Sequence, residues 1–212
     1  MPVSGTFDFE ALTGIIGTRA EAGRNIIAIV GAPGSGKSTL AERLEARLNE
    51  ANPGSAAVLP MDGYHFDDNV LVARGLRTRK GAPETFDVGG LRHMLTRLKR
   101  NDEDEIAVPI FDRSLEISRA GARLIPRAVR HVIVEGNYLL LDAAPWAALH
   151  ACFDTTVAAA VPEEVLRGRL TARWKGYGLH PSKVMAKVED NDLPNGRFVV
   201  SNSIPAEFTI AN

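Results

Sequence analysis

Apolar residues fall along this chain in two rhythms. Ile26, Ile27, Ile29 and Val30 make a β-branched run, and Leu40, Leu44 and Leu48 recur at four-residue spacing behind it. The first pattern predicts a buried strand and the second an amphipathic helix. The alternation continues along the sequence. "AAVLPMD" from Ala56 reads as a second short strand, and Asp87 followed by Leu91, Met94, Leu95 and Leu98 reads as a capped helix with one apolar stripe. "EIAVPIFD", ending at Asp112, is a further strand candidate, while "HVIVEGNYLLL" from His131 and "DTTVAAAV" from Asp154 are the continuous apolar runs that buried parallel strands need. Pro162, Glu163 and Glu164 then open a helix in the preferred order, with acids at its positive end. Ahead of the first strand, Phe9, Leu12, Ile15 and Ile16 fit a short amphipathic helix. Strands alternating with helices predict a three-layer α/β fold with a mostly parallel central sheet. No internal repeat or long linker divides the chain, so residues 1–212 are expected to form one domain.

Between the first strand and its helix stand Gly31, Gly34, Gly36, Lys37 and Ser38, which fill every defined position of G-x-x-x-x-G-K-[ST]. This is the pattern of a phosphate-binding loop. Glycines let backbone amides converge on an anion, the following helix adds the positive end of its dipole, and Lys37 adds a full charge. Ser35 and Thr39 belong to the same nucleotide-binding segment, and the Ser38 hydroxyl is placed to ligate Mg²⁺. ATP and Mg²⁺ are therefore the expected cofactors, and the expected fold is that of a P-loop NTPase.

In open α/β sheets ligands lie beyond the carboxyl ends of the strands, so polar residues following each apolar run are informative. Glu135 follows "HVIV", Asp62 follows "AVLPM", and Asp112 follows "VPIF". A lone acid in such a place is usually a turn or cap residue; three around one phosphate loop invite a catalytic reading. Glu135 has the location of a carboxylate that holds Mg²⁺ or its water. Asp62 is the candidate base, able to orient an acceptor hydroxyl and take its proton. Asp112 is assigned to fixing an acceptor hydroxyl.

The segments "MDGYHFDD", "RKGAPETFD", "PIFDRSLEIS" and "VIVEGNYLLL" resemble the uridine kinase, phosphoribulokinase and pantothenate kinase group. The resemblance covers nearly all of the chain after its first helix and is strongest to bacterial pantothenate-kinase-like proteins labelled fructose transport system kinases. It implies an ATP-dependent kinase acting on a hydroxyl of a sugar, nucleoside or pantothenate-like acceptor. By this resemblance Asp62 is the base, the stretch from Pro109 to Asp112 shapes the acceptor site, and Glu135 faces the metal. Tyr64, His65, Phe111 and Arg113 lie beside these positions and are expected to wall the acceptor pocket.

A helix over residues 163–175 would line up Leu166, Leu170 and Trp174, with Arg169 and Arg173 along one edge and Arg167 along the other. A solvated surface is one reading. The other is a small helical lid, about residues 162–180, whose Arg169 and Arg173 neutralise charge on the transferring phosphoryl group while closure excludes water. "RGLRTRKGAPETFD" brings Arg74, Arg77, Arg79 and Lys80 together in a loop that is either solvated or meets an anionic acceptor. "NDLPNGRF" from Asn191 resembles a segment of the same group, but its residue types are also those of a turn, and it receives no catalytic role.

Composition narrows the partners. A formal net charge of −1 gives no basic surface for a nucleic acid. The single cysteine, Cys152, rules out an intrachain disulfide and suits a reducing cytoplasm. The start of the sequence carries Asp8 and Glu10 and lacks the pattern of an export signal or a membrane span, so a cytoplasmic protein is expected; a homodimer is left open. The rivals to a kinase are a P-loop NTP hydrolase and a nucleotide-dependent regulatory switch. "DVGG" at Asp87 fits D-x-x-G, but neither a guanine-reading N-K-x-D nor the L-S-G-G-Q of transport ATPases is present.

Overall fold

The computed structural model describes residues 7–20 and 23–212; the first six residues, part of the stretch read as lacking an export signal, lie outside the described residues. Five strands form a parallel sheet: β1 (Asn25–Val30), β2 (Ala56–Pro60), β5 (His131–Gly136), β6 (Thr155–Ala160) and β7 (Phe208–Ala211), in the order β2-β5-β1-β6-β7. Every residue of β1 and β5 is buried, which is why residues 26–30 and 132–134 read as continuous apolar runs, with Asn25, His131 and Glu135 as buried polar residues.

The two faces of β1 explain the three layers. Ile26, Ala28 and Val30 point to one side and pack with Leu91, Leu95 and Leu98 of α4 (Val88–Arg100). Ile27 and Ile29 point to the other and meet Leu40, Leu44 and Leu48 of α2 (Lys37–Ala51) and Leu12 and Ile16 of α1 (Phe9–Gly17). Period two in the strand and near four in the helices thus bury complementary stripes. Asp87, the acid of the D-x-x-G match, caps α4 by accepting the Gly90 amide at 2.8 Å. That capping bond gives the match a structural reason.

"EIAVPIFD" is a strand, but it does not join the parallel sheet. It forms β3 (Glu105–Asp112) in an antiparallel hairpin with β4 (Ile117–Pro126), and the register shifts between Val108 and Ile110, around Pro109. Proline has no amide hydrogen for the ladder, and the exposed-buried alternation from Glu105 to Val108 suits a half-buried strand. Asp112 therefore ends a hairpin strand, not a strand of the central sheet.

The last layer is helical. A short α3 (Asp68–Ala73) follows β2; α5 (Glu163–Gly176) matches the helix expected over 163–175; α6 (Pro181–Lys187) follows it; a π-helical turn (Val188–Asp192) leads into α7 (Leu193–Asn202). "NDLPNGRF" is thus helical, its Pro194 in the first turn of α7 directly behind the π turn. Leu166, Leu170, Val184, Val188 and Leu193 bury one another and cover Ala32 of the phosphate loop. Among the described residues, no helix is long and apolar enough to cross a membrane.

Candidate active site

The loop between β1 and α2 depends on glycine. Gly34 and Gly36 adopt φ of 80° and 79°, a left-handed conformation that side chains disfavour. Space is also short: a Cβ on Gly34 would stand 3.0 Å from Leu170 Cγ, and one on Gly36 would collide with the Asn212 amide. Asn212 Nδ2 donates to the Ser35 carbonyl at 2.6 Å and Arg169 reaches the same oxygen at 3.5 Å. The loop is therefore braced from outside by Asn212 and by α5.

Glu135 lies opposite Ile29 in the β1–β5 register, beside the loop. Ser38 Oγ donates to its Oε2 at 3.1 Å. Burial pushes the Glu135 carboxyl above its ordinary value, against the opposing pull of Lys37 and the Ser38 hydroxyl, while Asp62 adds to the rise. Among the described residues no group of three or more His, Cys, Asp or Glu side chains could hold a metal by itself. A buried carboxylate facing a serine hydroxyl at an anion-binding loop still fits Mg²⁺, which commonly takes one or two protein ligands and completes its shell with phosphate oxygens and water.

Asp62 sits in a single 3₁₀ turn (Met61–Tyr64) directly after β2, whose Pro60 pairs with Glu135 across the sheet. The hairpin closes over this turn so tightly that a Cβ on Gly63 would lie 2.6 Å from the Pro109 carbonyl oxygen. Through that contact Arg113, just past β3, donates from Nη2 to Asp62 Oδ2 at 2.6 Å. His65 lies between the rings of Phe86 and Phe111, with centroid distances of 4.0 and 4.8 Å. Its Nδ1 is 2.8 Å from the Asp62 carbonyl, which can only accept, so Nδ1 carries the hydrogen. Burial lowers the His65 pKa and keeps the ring neutral, leaving Nε2 as an acceptor.

A cavity of about 230 Å³ joins these parts: Lys37, Asp62, His65, Phe111, Arg113 and Arg173 all line it. Gly31, Ser35 and Thr39 stand with the loop and the first turn of α2. Two residues expected in the acceptor wall are elsewhere. Tyr64 packs into the core with 7% exposure, and the Asp112 carboxylate takes the Ser114 amide and hydroxyl, at 3.0 and 2.6 Å, holding the hairpin turn. Of the helix arginines, Arg173 borders the cavity, Arg169 braces Ser35, and Arg167 pairs with Glu163 and Glu189.

Sequence reading missed the far wall. Trp174, Lys187, Asn191, Asp192 and Asn195 line the same cavity, and the Trp174 indole donates to the buried Asp192 carboxylate at 2.6 Å. The four-residue spacing of Asn191 and Asn195 carried the signal, visible once that stretch is taken as helix and not turn. The π turn supplies the extra residue that places them, and such turns are frequent at functional sites.

Comparison with known proteins agrees with this geometry. A family model described as an AAA domain matches residues 20–115, the part containing the phosphate loop and Asp62. The crystal structure of a candidate fructose transport system kinase from Silicibacter sp. TM1040 superposes with a TM-score of 0.88 and 40% identity, covering 96% of this chain and 98% of that one. YggC, an uncharacterized protein of Escherichia coli K12, is 35% identical over 189 residues, 88% of this chain and 77% of its own length. A candidate uridine kinase of Schizosaccharomyces pombe is 31% identical over 197 residues, 88% of this chain and 83% of its own. Likeness of this extent, over a chain that carries its own phosphate loop, means that the protein belongs to the P-loop kinases of the uridine kinase and pantothenate kinase-like group, ATP-dependent enzymes that phosphorylate a hydroxyl of a small molecule.

Proposed function

We propose that the cavity is the acceptor site of this kinase and that Asp62 is its general base. The observation that carries the reading is that Lys37 and Asp62, from the loops after β1 and β2, line one cavity beside the Glu135–Ser38 pair. Lys37 and the loop amides hold the β- and γ-phosphates. The Asp62 carboxylate accepts the proton of the acceptor hydroxyl as its oxygen bonds to the γ-phosphorus; the bond from that phosphorus to the β,γ-bridging oxygen breaks, and ADP leaves. Glu135 and Ser38 would hold Mg²⁺, which when bound neutralises charge on the phosphate oxygens. Arg173 meets the transferring group from α5, and Arg169 keeps the loop in shape through Ser35. His65, Phe111 and Arg113 orient the acceptor.

The test incubates the purified protein with ATP and Mg²⁺ against sugars, nucleosides, pantothenate and sugar phosphates, read as the mass gain of one phosphoryl group. Acceptor-dependent ADP formation that Asp62→Asn suppresses supports the assignment. ADP formed at one rate with or without every acceptor would favour a hydrolase.

A further inference from the structure

The lining of the cavity described above holds six Lys and Arg side chains against three carboxylates. Setting aside Lys37 and Arg173 for the phosphates, its lining still includes Arg77, Lys80, Arg113 and Lys187. Three carboxylates line it in return. Asp62 is engaged by Arg113, Asp192 by the Trp174 indole and the Asn191 amide, and the Glu116 side chain is 56% exposed. The charge is local, since the whole chain carries a formal −1.

The arrangement on the hairpin side is specific. Asp68 bridges Arg77 Nε and Lys80 Nζ, at 2.7 Å each. Lys80 is only 9% exposed, donates a second bond to the Glu116 carbonyl at 2.6 Å and lies over the Phe111 ring. Asp68 thus pairs with both cations, the Glu116 carboxylate lies 3.8 Å from Lys80 Nζ, and the Arg77 side chain stays 48% exposed. Lys80 retains a third N–H, and among the described residues no partner is found for the terminal nitrogens of Arg77. These donors border the Phe111 and hairpin side, and neither side chain bonds to the phosphate loop. A neutral sugar would offer these donors no charged bond, leaving Asp68 and Glu116 as their counter-charges among the described residues. An anion would complete them with charge-assisted bonds.

We infer that the acceptor is an anionic hydroxyl compound, a phosphate monoester or a carboxylate, whose charged group is received by Arg77 and Lys80 while its hydroxyl faces Asp62. This rests on the kinase reading for the identity of the site, but the anion preference is measurable without turnover. Calorimetric titrations, with Mg²⁺ and a non-hydrolysable ATP analogue, compare ribose 5-phosphate with ribose and gluconate with glucose; inorganic phosphate serves as a bare anion. Within at least one pair, the anion is expected to bind about tenfold or more tightly than its neutral partner, the scale of one or two charged hydrogen bonds. Which pair responds separates phosphate from carboxylate. Arg77→Gln and Lys80→Met should each remove most of that advantage and leave the neutral partner's affinity alone. Turnover assays on the same pairs should show the variants raising the anion's KM more than they lower kcat.

A neutral sugar binding as well as its anion in both pairs would overturn the inference. So would an anion preference that survives in the Arg77→Gln, Lys80→Met double variant, or failure of every anion, inorganic phosphate included, to bind in an Arg77-dependent way. Arg77-dependent anion binding with no phosphoryl transfer to any acceptor would instead refute the kinase reading and leave the anion site standing.

Discussion

Arg113 Nη2 stands 2.6 Å from Asp62 Oδ2, so the proposed base is held by a guanidinium delivered from the hairpin and not from the parallel sheet. The pair is half open to solvent, with side-chain exposures of 56% and 25%, and contributes at most about 1 kcal/mol to stability. Its value is positional. Asp62→Asn is expected to lower kcat by about 100-fold or more with ATP affinity near wild type, because the amide keeps the shape but cannot take a proton. Arg113→Ala should leave the melting temperature almost unchanged while weakening acceptor binding. Loss of ATP binding in Asp62→Asn would make Asp62 a metal ligand and exchange its role with Glu135.

Lys37 begins α2 at the mouth of the loop and borders the cavity. Lys37→Ala removes one of the few charges on the β- and γ-phosphates and is expected to abolish transfer. Circular dichroism should show an unchanged fold. Normal turnover by the folded variant would end the phosphate-loop argument.

Glu135 sets stability against function. Burial raises its folded-state pKa, so the carboxyl's favourable contribution is complete below its ordinary value near 4.5 and is lost as pH rises through the folded value, which leaves a cost to the fold above it. Glu135→Gln should therefore be more stable than wild type at neutral pH in nucleotide-free buffer, with an advantage that shrinks towards pH 4. The same variant should gain less from added Mg²⁺ and ATP and turn over poorly. Urea melts across this pH range, with and without Mg²⁺ and ATP, measure both halves. An advantage that grew as the pH fell would contradict the burial argument.

The contact of Leu170 with the loop joins α5 to the nucleotide site. Leu170 is 1% exposed, and its Cγ would stand only 3.0 Å from a Cβ on Gly34. Leu170→Ala should cost about 2–5 kcal/mol by cavity formation. Arg173→Ala, on the same helix, should instead lower kcat with a smaller effect on ATP dissociation, as befits a charge that acts chiefly in the transition state. Arg169→Ala should raise the ATP dissociation constant as well, since Arg169 touches Ser35 of the loop. If the Arg169, Arg173 double variant turned over normally, α5 would be a surface helix with no part in transfer.

Much of the architecture was legible because its signals are local. β1 and β5 have both faces buried, so residues 26–30 and 132–134 are apolar without interruption, and the spacing of Leu40, Leu44 and Leu48 follows from the helical repeat. The phosphate loop was legible for the same reason: left-handed φ at Gly34 and Gly36 and the charge of Lys37 act within one short turn. Less legible was the stretch from Asn191. Its asparagines, proline and glycine have turn propensities, and tertiary packing of Val188 and Leu193 against Leu166 and Leu170 overrides them.

The sequence by itself determined the nucleotide end of this protein: strand, glycine loop, helix, and the acid near the end of β5. Backbone conformation and hydrophobic periodicity act over a few residues, so composition and spacing suffice to specify them. The proposed acceptor site, for which the sequence named Asp62, His65, Phe111 and Arg113 one by one, was assembled by tertiary structure. Asp62 meets Arg113 across 51 residues and Trp174 meets Asp192 across 18, while Lys80 reaches Glu116 across 36. Those meetings depend on how the hairpin folds over the turn after β2 and how α5 packs against the π turn. No local propensity encodes such distances. They are fixed when Pro109 settles against Gly63 and Leu170 settles beside Gly34, and the chemistry of the proposed acceptor pocket follows from where that packing leaves the charges.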